Sequence, residues 1–345
     1  MEVHERRLPV YLVLDVSESM LGEGMEALQK GLTALMMDLH GDAQALETAW
    51  VSVITFADRA EQVVPLTELA RVRIPPLRCR PGTALGGALT LLAECIRREV
   101  RTQSAHAKGD WKPLVFLLTD GMPTDDWEKA AARLRGIAGR HPANLVAIGC
   151  GEEPDPYVLM QASGNVLMMR DDPESFRRLF QWISSSITIT SKAVANPDPG
   201  PVSLDKLPDG AAPAPVAVAP RPGGGRVPVV FLPFRCQQSR RPYLVRYRLL
   251  EDLDGYEPLR THRVDEEYLA AAGGSDAALG LSSAEVLGVL ACPHCGADGA
   301  ARCPCGGLMC ADTDDAGTAT CPWCALTLHP AGDGGSPFSL SGRIG

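Results

Sequence analysis

Tyr11–Met20 reads YLVLDVSESM: an apolar run that closes on an acid, followed by Ser17 and Ser19 at alternate positions after Asp15. A short run of large apolar residues is what a strand covered on both faces requires. Residues two apart in extended chain point the same way. Three oxygen-bearing side chains just past the strand therefore face one crevice. In open parallel sheets that crevice, outside the carboxyl ends of the strands, is where ligands bind. A second run, KPLVFLLTD, ends on Asp120 and predicts another such strand. Thr83, in RPGTALGGAL, lies on a glycine-flanked loop before a helical pattern and can bring a hydroxyl to the same place.

The surrounding sequence alternates strand and helix patterns up to about residue 190. GMEALQKGLTALMMDL places Met25, Leu28, Leu32, Leu35 and Met36 on one helix face. AWVSVITFA reads as a strand with AEQVVPL as its hairpin partner. ALGGALTLLAECIRREV and DDWEKAAARLRGIAGR read as helices, the latter capped by Asp125 or Asp126. NLVAIGC and NVLMM are short strands with a helix between them, and DPESFRRLFQWISSSI closes the domain. Alternation of this kind predicts an α/β domain over 1–192, with a mainly parallel central sheet and helices on both faces.

Residues 193–227 are rich in Pro, Ala and Gly and read as a linker. Strand-like runs return in VPVVFLPF and PYLVRYRLL, and a helix is expected near SAEVLGVLA. The net charge of −9 gives no basic footprint for nucleic acid. MEVHERRLPV lacks the apolar core of a signal peptide, and no apolar run approaches a membrane span, so a cytoplasmic protein is expected.

Two carboxylates and three hydroxyls, Asp15, Ser17, Ser19, Thr83 and Asp120, form an all-oxygen set. Such a set suits Mg²⁺, Ca²⁺ or Mn²⁺ rather than Zn²⁺, and Mg²⁺ keeps several waters. D-x-S-x-S after a strand, a G-T loop and a T-D-G loop, in that order, resemble the metal-ion-dependent adhesion site (MIDAS) of a von Willebrand factor A domain. The resemblance implies a Rossmann-like fold. It also implies direct metal contacts from Ser17, Ser19 and Thr83, contacts direct or through water from Asp15 and Asp120, and an open position for an acidic residue of a partner.

Seven of the eleven cysteines crowd into the last fifth: Cys292, Cys295, Cys303, Cys305, Cys310, Cys321 and Cys324. In a cytosolic chain such a cluster points to metal rather than disulfides. Seven thiolates exceed one tetrahedral Zn²⁺ and fall one short of two. His329, five residues after Cys324, is the favoured eighth ligand. His294 lies inside a C-x-x-C turn and is less able to reach the same ion. Interleaved and sequential partitions both fit the spacing. A small β-rich domain of little apolar content needs the metal for its fold. Cys79, Cys95 and Cys150 are expected in the core.

RCQQSRRPYLVRYR, the cysteine cluster and the tail FSLSGRIG resemble the TerY-C metal-binding domain over 228–345. That resemblance makes Cys236 a feature of the module without a ligand role. It implies a TerY-like protein of the bacterial tellurium-resistance type, partnered by a PP2C-type phosphatase and a Ser/Thr protein kinase. No phosphate loop, kinase motif, H-E-x-x-H or nucleophile elbow is present. The expectation is therefore a non-enzymatic adaptor. Zinc or metalloid handling and a metal-dependent phosphohydrolase are the alternatives.

Overall fold

The computed structural model describes residues 6–104, 108–119, 122–138, 143–150, 154–170, 172–192, 211–213, 227–272, 278–312, 318–328 and 338–344. The chain forms two compact units. The first comprises Met1–Cys79 and Thr83–Arg221, the second Arg80–Gly82 and Pro222–Gly345.

In the first unit, β1 (Leu8–Asp15) is buried at every residue. Its alternate side chains enter two cores. Val10, Leu12 and Leu14 join one layer, and Tyr11 and Val13 the other. After β1 come α1 (Glu23–His40), α2 (Ala43–Thr48), β2 (Ala49–Phe56), β3 (Ala60–Glu68) and α3 (Leu85–Glu99). They are followed by β4 (Leu114–Thr119), α4 (Trp127–Ala138), β5 (Asn144–Gly149), α5 (Pro156–Ala162), β6 (Asn165–Met169) and α6 (Pro173–Lys192). The apolar faces of α1, α2 and α6 cover one side of the sheet, and those of α3, α4 and α5 cover the other.

The strand order is β3-β2-β1-β4-β5-β6, extended by β7 (Ala211–Pro213). From β2 to β6 in that order every pairing is parallel; β3 and β7 are antiparallel edges. Strand β7 falls inside the segment read as linker, so part of that segment belongs to the first sheet. The chain passes from β1 to β2 on one side and later returns to β4 on the other. The winding therefore reverses between β1 and β4, which places their carboxyl ends side by side.

The second unit holds β8 (Val229–Arg235), β9 (Pro242–Leu250), β10 (Gly255–Arg263), α7 (Glu266–Ala272) and β11 (Ala278–Ser282). The remaining strands are β12 (Gly299–Arg302), β13 (Leu308–Ala311), β14 (Ala319–Thr320), β15 (Thr327–Leu328) and β16 (Ser339–Ile344). One sheet runs β10-β9-β8-β13-β12, with β16 paired to both β8 and β11. Val230, Leu232, Phe234, Tyr243, Val245 and Tyr247 alternate inward and form its core together with Cys236, Cys292 and Cys310.

The helix expected near SAEVLGVLA is a single 3₁₀ turn, Ser283–Glu285, closed by a Ser282–Glu285 capping box. Val286 then bridges to Tyr256, and Gly288 at φ 105° carries the backbone out of helical space. Strand β10 and helix α7 were not read from the sequence. GYEPLRTHR has no apolar alternation, and α7 is less than two turns long. Among the described residues no helix is long and apolar enough to cross a membrane.

Candidate metal centres

Three segments of the first unit meet at the carboxyl ends of β1, β2 and β4. Val16 N–H donates to Phe56 O (2.9 Å), and Ala84 N–H donates to the next carbonyl, Ala57 O (2.6 Å). The turn carrying Ser17 and the loop carrying Thr83 are thus tied to consecutive residues at the end of β2. The Thr83 loop is also latched to the segment after β4. Thr83 N–H donates to Thr124 Oγ1 (3.0 Å), and Thr124 N–H donates to Thr83 O (2.9 Å).

Asp125 was expected, with Asp126 as the alternative, to cap the N-terminus of α4. Its carboxylate instead accepts from Gly86 N–H (2.9 Å) and Gly87 N–H (2.8 Å), which satisfies the first turn of α3. A Cβ on Gly86 would lie 2.7 Å from Asp126 O and 2.8 Å from the Trp127 Cα. Only glycine permits this approach.

The oxygens sit within this frame. Asp15 is 1% exposed, and Ser17 and Thr83 are fully buried. Asp15 Oδ1 accepts from Ser17 N–H (2.9 Å) and Oδ2 accepts from Thr119 Oγ1 (2.5 Å). Ser17 is extended, while Ser19 falls in a 3₁₀ turn, Glu18–Met20, so the chain beyond β1 is not extended throughout. The two serine hydroxyls still meet, Oγ to Oγ at 2.8 Å. Thr83 Oγ1 is buried and has no hydrogen-bond partner among the described residues. Glu18, treated in the sequence as a spacer, is a further buried acid in this turn. Asp120 lies outside the described residues.

In the second unit eight thiols form two groups of four. Cys236, Cys292, Cys295 and Cys310 make one; Cys303, Cys305, Cys321 and Cys324 make the other. Within each group all Sγ atoms lie within 4.8 Å of one another. The closest approaches are Cys295–Cys310 at 3.6 Å, Cys303–Cys324 at 3.5 Å and Cys305–Cys321 at 3.9 Å. A tetrahedral ion with Zn–S bonds of about 2.3 Å needs S···S edges of about 3.8 Å. The spacing therefore fits zinc, and all eleven cysteines are free thiols. The partition is interleaved: Cys310 of the first group follows Cys303 and Cys305 of the second in sequence.

The eighth thiol is Cys236, to which the sequence reading gave no ligand role; His329 lies outside the described residues. Four turns show why Cys236 belongs. Cys292 N–H donates to Ala297 O and Gly296 N–H to Cys292 O. The same pair of bonds closes Cys321–Leu326, and a version one residue shorter closes Cys303–Gly307. The longer version also closes Cys236–Arg241, through Cys236 N–H to Arg241 O and Arg240 N–H to Cys236 O. Each turn places a residue at positive φ: Gly296 83°, Gly306 93°, Ala325 61° and Arg240 59°. CQQSRR is thus a C-x-x-C turn with Ser239 where the second cysteine would stand. His294 does not join either group; its Nε2 lies 3.1 Å from Pro242 O.

Backbone N–H groups point at the sulfurs: Ser239 to Cys236 (3.4 Å), Gln237 to Cys310 (3.2 Å) and Trp323 to Cys321 (3.4 Å). Burial opposes ionisation of Cys236 and Cys321, but these and neighbouring donors bring both down to about 7. Each group thus contains one thiol ready to ligate as a thiolate.

Residues 10–122 match the family model of the von Willebrand factor type A domain, and residues 227–341 match that of the TerY-C metal binding domain. The chain carries a von Willebrand factor type A domain followed by a TerY-C metal-binding domain. Together they make a metal-binding, protein-interaction module.

A von Willebrand factor type A structure from Catenulispora acidiphila is similar over 53% of this chain and 43% of its own length, at 19% identity and TM-score 0.40. Proximal thread matrix protein 1 from the mussel byssus, solved with a zinc-occupied MIDAS motif, is similar over 54% of this chain and 46% of its own, at 20% identity and TM-score 0.39. This chain spans less than half the length of these structures. No curated protein matches it.

Proposed function

We propose that the chain is a non-enzymatic adaptor whose von Willebrand A domain presents a divalent cation to an acidic residue of a partner protein. Ser17, Ser19 and Thr83 would contact the ion through hydroxyls, with Asp15 and Asp120 supplying charge directly or through water. The observation that carries this reading is Thr83 Oγ1, buried without a hydrogen-bond partner among the described residues, on a loop latched beside the Asp15–Ser19 turn. Leaving such a group unsatisfied costs about 1–3 kcal/mol. A hard cation would offset that, and the all-oxygen set suits Mg²⁺, Ca²⁺ or Mn²⁺.

The TerY-C domain, holding two zinc ions, would offer the second surface. By resemblance the partners are a PP2C-type phosphatase and a Ser/Thr kinase in a bacterial stress response of the tellurium-resistance type. A cytoplasmic setting suits eleven free thiols.

The test is a pull-down from the native host in Mg²⁺ buffer, comparing the intact protein with Asp15→Ala and measuring zinc in both. A kinase or phosphatase retained by the first and lost from the second, at equal zinc content, is the expected result. Equal retention by both overturns the reading. Mg²⁺-dependent phosphoester hydrolysis that disappears with Asp15→Ala would make the protein an enzyme instead.

A further inference from the structure

The two cysteine centres are not equivalent. We propose that Cys236–Cys292–Cys295–Cys310 is a permanent structural centre. Cys303–Cys305–Cys321–Cys324 is an exchange site, which releases and accepts a thiophilic divalent cation while the domain stays folded. This goes beyond the adaptor reading and does not depend on it.

Access differs first. In the structural centre Cys236, Cys292 and Cys310 are buried members of the hydrophobic core, with Cys295 packed against it. In the exchange site Cys303 and Cys321 are buried but belong to none of the three core clusters. The other two, Cys305 and Cys324, are exposed, one from each contributing turn. A chelator or competing cation can therefore engage half of this ligand set with no opening of the fold. The same approach to the structural centre requires its core to open, and ligand-accessible elements are the ones that open at low cost.

Support differs second. The structural centre takes Cys236 from the turn between β8 and β9 and Cys310 from within β13, all strands of the main sheet. In the exchange site the Cys321–Cys324 turn is flanked by β14 and β15. These pair with each other over two residues each and with no other described strand. A ladder that short is marginal by itself.

What keeps this turn in place is Trp323. Its indole N–H donates to Leu308 O (2.7 Å), at the start of the strand that carries Cys310. Its ring lies against Gly307, where a Cβ would come within 2.4 Å of it. The Arg235 guanidinium stacks 4.6 Å above the ring and is itself paired with Glu266 at 2.6 Å. Trp323 thus keeps the two halves of the ligand set together after the ion leaves. Rebinding then needs no search, because the thiols remain at high effective concentration. Because Trp323 lies within the ligating turn, between Cys321 and Cys324, its indole also reports occupancy.

The experiment uses the full chain loaded with zinc. The protein is challenged with excess 4-(2-pyridylazo)resorcinol, and released zinc, tryptophan fluorescence and iodoacetamide labelling are followed in time. The expected result is two phases, the second slower by about tenfold or more, since core opening is the costlier event. Peptide mass spectrometry should place early label on Cys303, Cys305, Cys321 and Cys324. The first phase should carry its own fluorescence change while β8 and β9 stay protected from hydrogen exchange. The second phase unfolds the domain and alters the signal again, so the first-phase change is the diagnostic one. Trp323→Phe should abolish that change, quicken the first phase and leave the second as it was. Release of both ions in a single phase overturns the proposal, as does early labelling of Cys236, Cys292, Cys295 or Cys310. A Trp323→Phe variant with an unaltered first phase refutes the role given to the indole.

Discussion

The von Willebrand A domain and the TerY-C domain reach their metal centres from opposite directions. In the first, apolar layers on both faces of a seven-stranded sheet are complete without any ion. The oxygens are held by backbone bonds from Phe56, Ala57 and Thr124. In the second, three of the thiols are themselves core residues. A cation held by the oxygens would be a ligand of a finished fold, whereas one held by the thiols would be a component of the fold. The hard oxygen cradle therefore suits reversible contact with a partner, while the buried thiols suit permanence.

The largest test of this contrast is to remove metal from both domains at once. Structural zinc supplies roughly 10–16 kcal/mol in small domains at neutral pH, as much as the whole stability of a typical domain, about 5–15 kcal/mol. Exhaustive chelation should unfold 227–345 and leave 8–192 folded. Hydrogen exchange should show full loss of protection at β8 and β9 and unchanged protection at β1 and β4. Cys292→Ser should do the same without chelator. Protected β8 and β9 in the zinc-free chain would show that the apolar core alone suffices.

Thr83→Val is the next test. The substitution keeps shape and removes only a hydroxyl that has no hydrogen-bond partner among the described residues. In metal-free buffer the variant should be more stable than the parent by about 1–3 kcal/mol, because a buried unsatisfied hydroxyl is removed and no bond is lost. In millimolar Mg²⁺ the parent should gain about 1–3 kcal/mol by linkage and the variant nothing. Differential scanning calorimetry with and without Mg²⁺ separates these outcomes. An equal Mg²⁺ response in both removes Thr83 from the cation site.

The order of strands and helices was legible because both faces of the first sheet are covered, so β1, β2, β4 and β5 are written as apolar runs. The candidate oxygen residues were legible as residue types, and the backbone that holds them was not. Nothing in D-x-S-x-S shows that Ser19 sits in a 3₁₀ turn. Nothing in TDD shows that Asp125 turns back to cap α3 rather than starting α4. Cys236 was missed because half of its turn signature is gone. With Ser239 in the second position, only the backbone closure shared with CPHC and CPWC, and one residue shorter in CPC, identifies it. The odd count of seven thiols was the available signal, and it pointed equally to a histidine. Strand β7 was hidden by composition, since AAP in a proline-rich segment carries no strand pattern.

His262 gives a smaller test, confined to the second domain. Burial, followed by the charges of Arg246 and Arg260, lowers its imidazole from 6.5 to about 4. The folded domain keeps it neutral while the unfolded chain protonates it from about pH 6.5 downward. Stability from this residue is therefore present above pH 6.5 and is lost as pH falls toward 4. At pH 5 the loss is roughly 2 kcal/mol. Acid also releases zinc from thiolates, so the measurement is a difference. His262→Gln, which does not titrate, should lose about 2 kcal/mol less than the parent between pH 7 and pH 5. Identical slopes would show that zinc release alone governs the acid sensitivity of this domain.

Gly86→Ala probes how finely the first domain sets its cradle. The new Cβ would meet Asp126 O at 2.7 Å and the Trp127 Cα at 2.8 Å, both backbone atoms. The loop after β4 must therefore move, and Asp125 must give up part of its grip on the Gly86 and Gly87 amides. The strain is local and partly relieved by that movement, so the cost should be about 1–2 kcal/mol, the lower part of the usual range for overpacking. The same movement pulls on the Thr83–Thr124 latch and shifts the Thr83 hydroxyl. Mg²⁺ affinity should fall several-fold, with the ion's stabilisation reduced but not abolished as in Thr83→Val. A variant that loses stability yet keeps full Mg²⁺ affinity would show that the latch supports the fold without setting the site. The oxygen centre would then be a property of β1 and its turn, and its independence from the rest of the domain would be greater than the backbone bonds suggest.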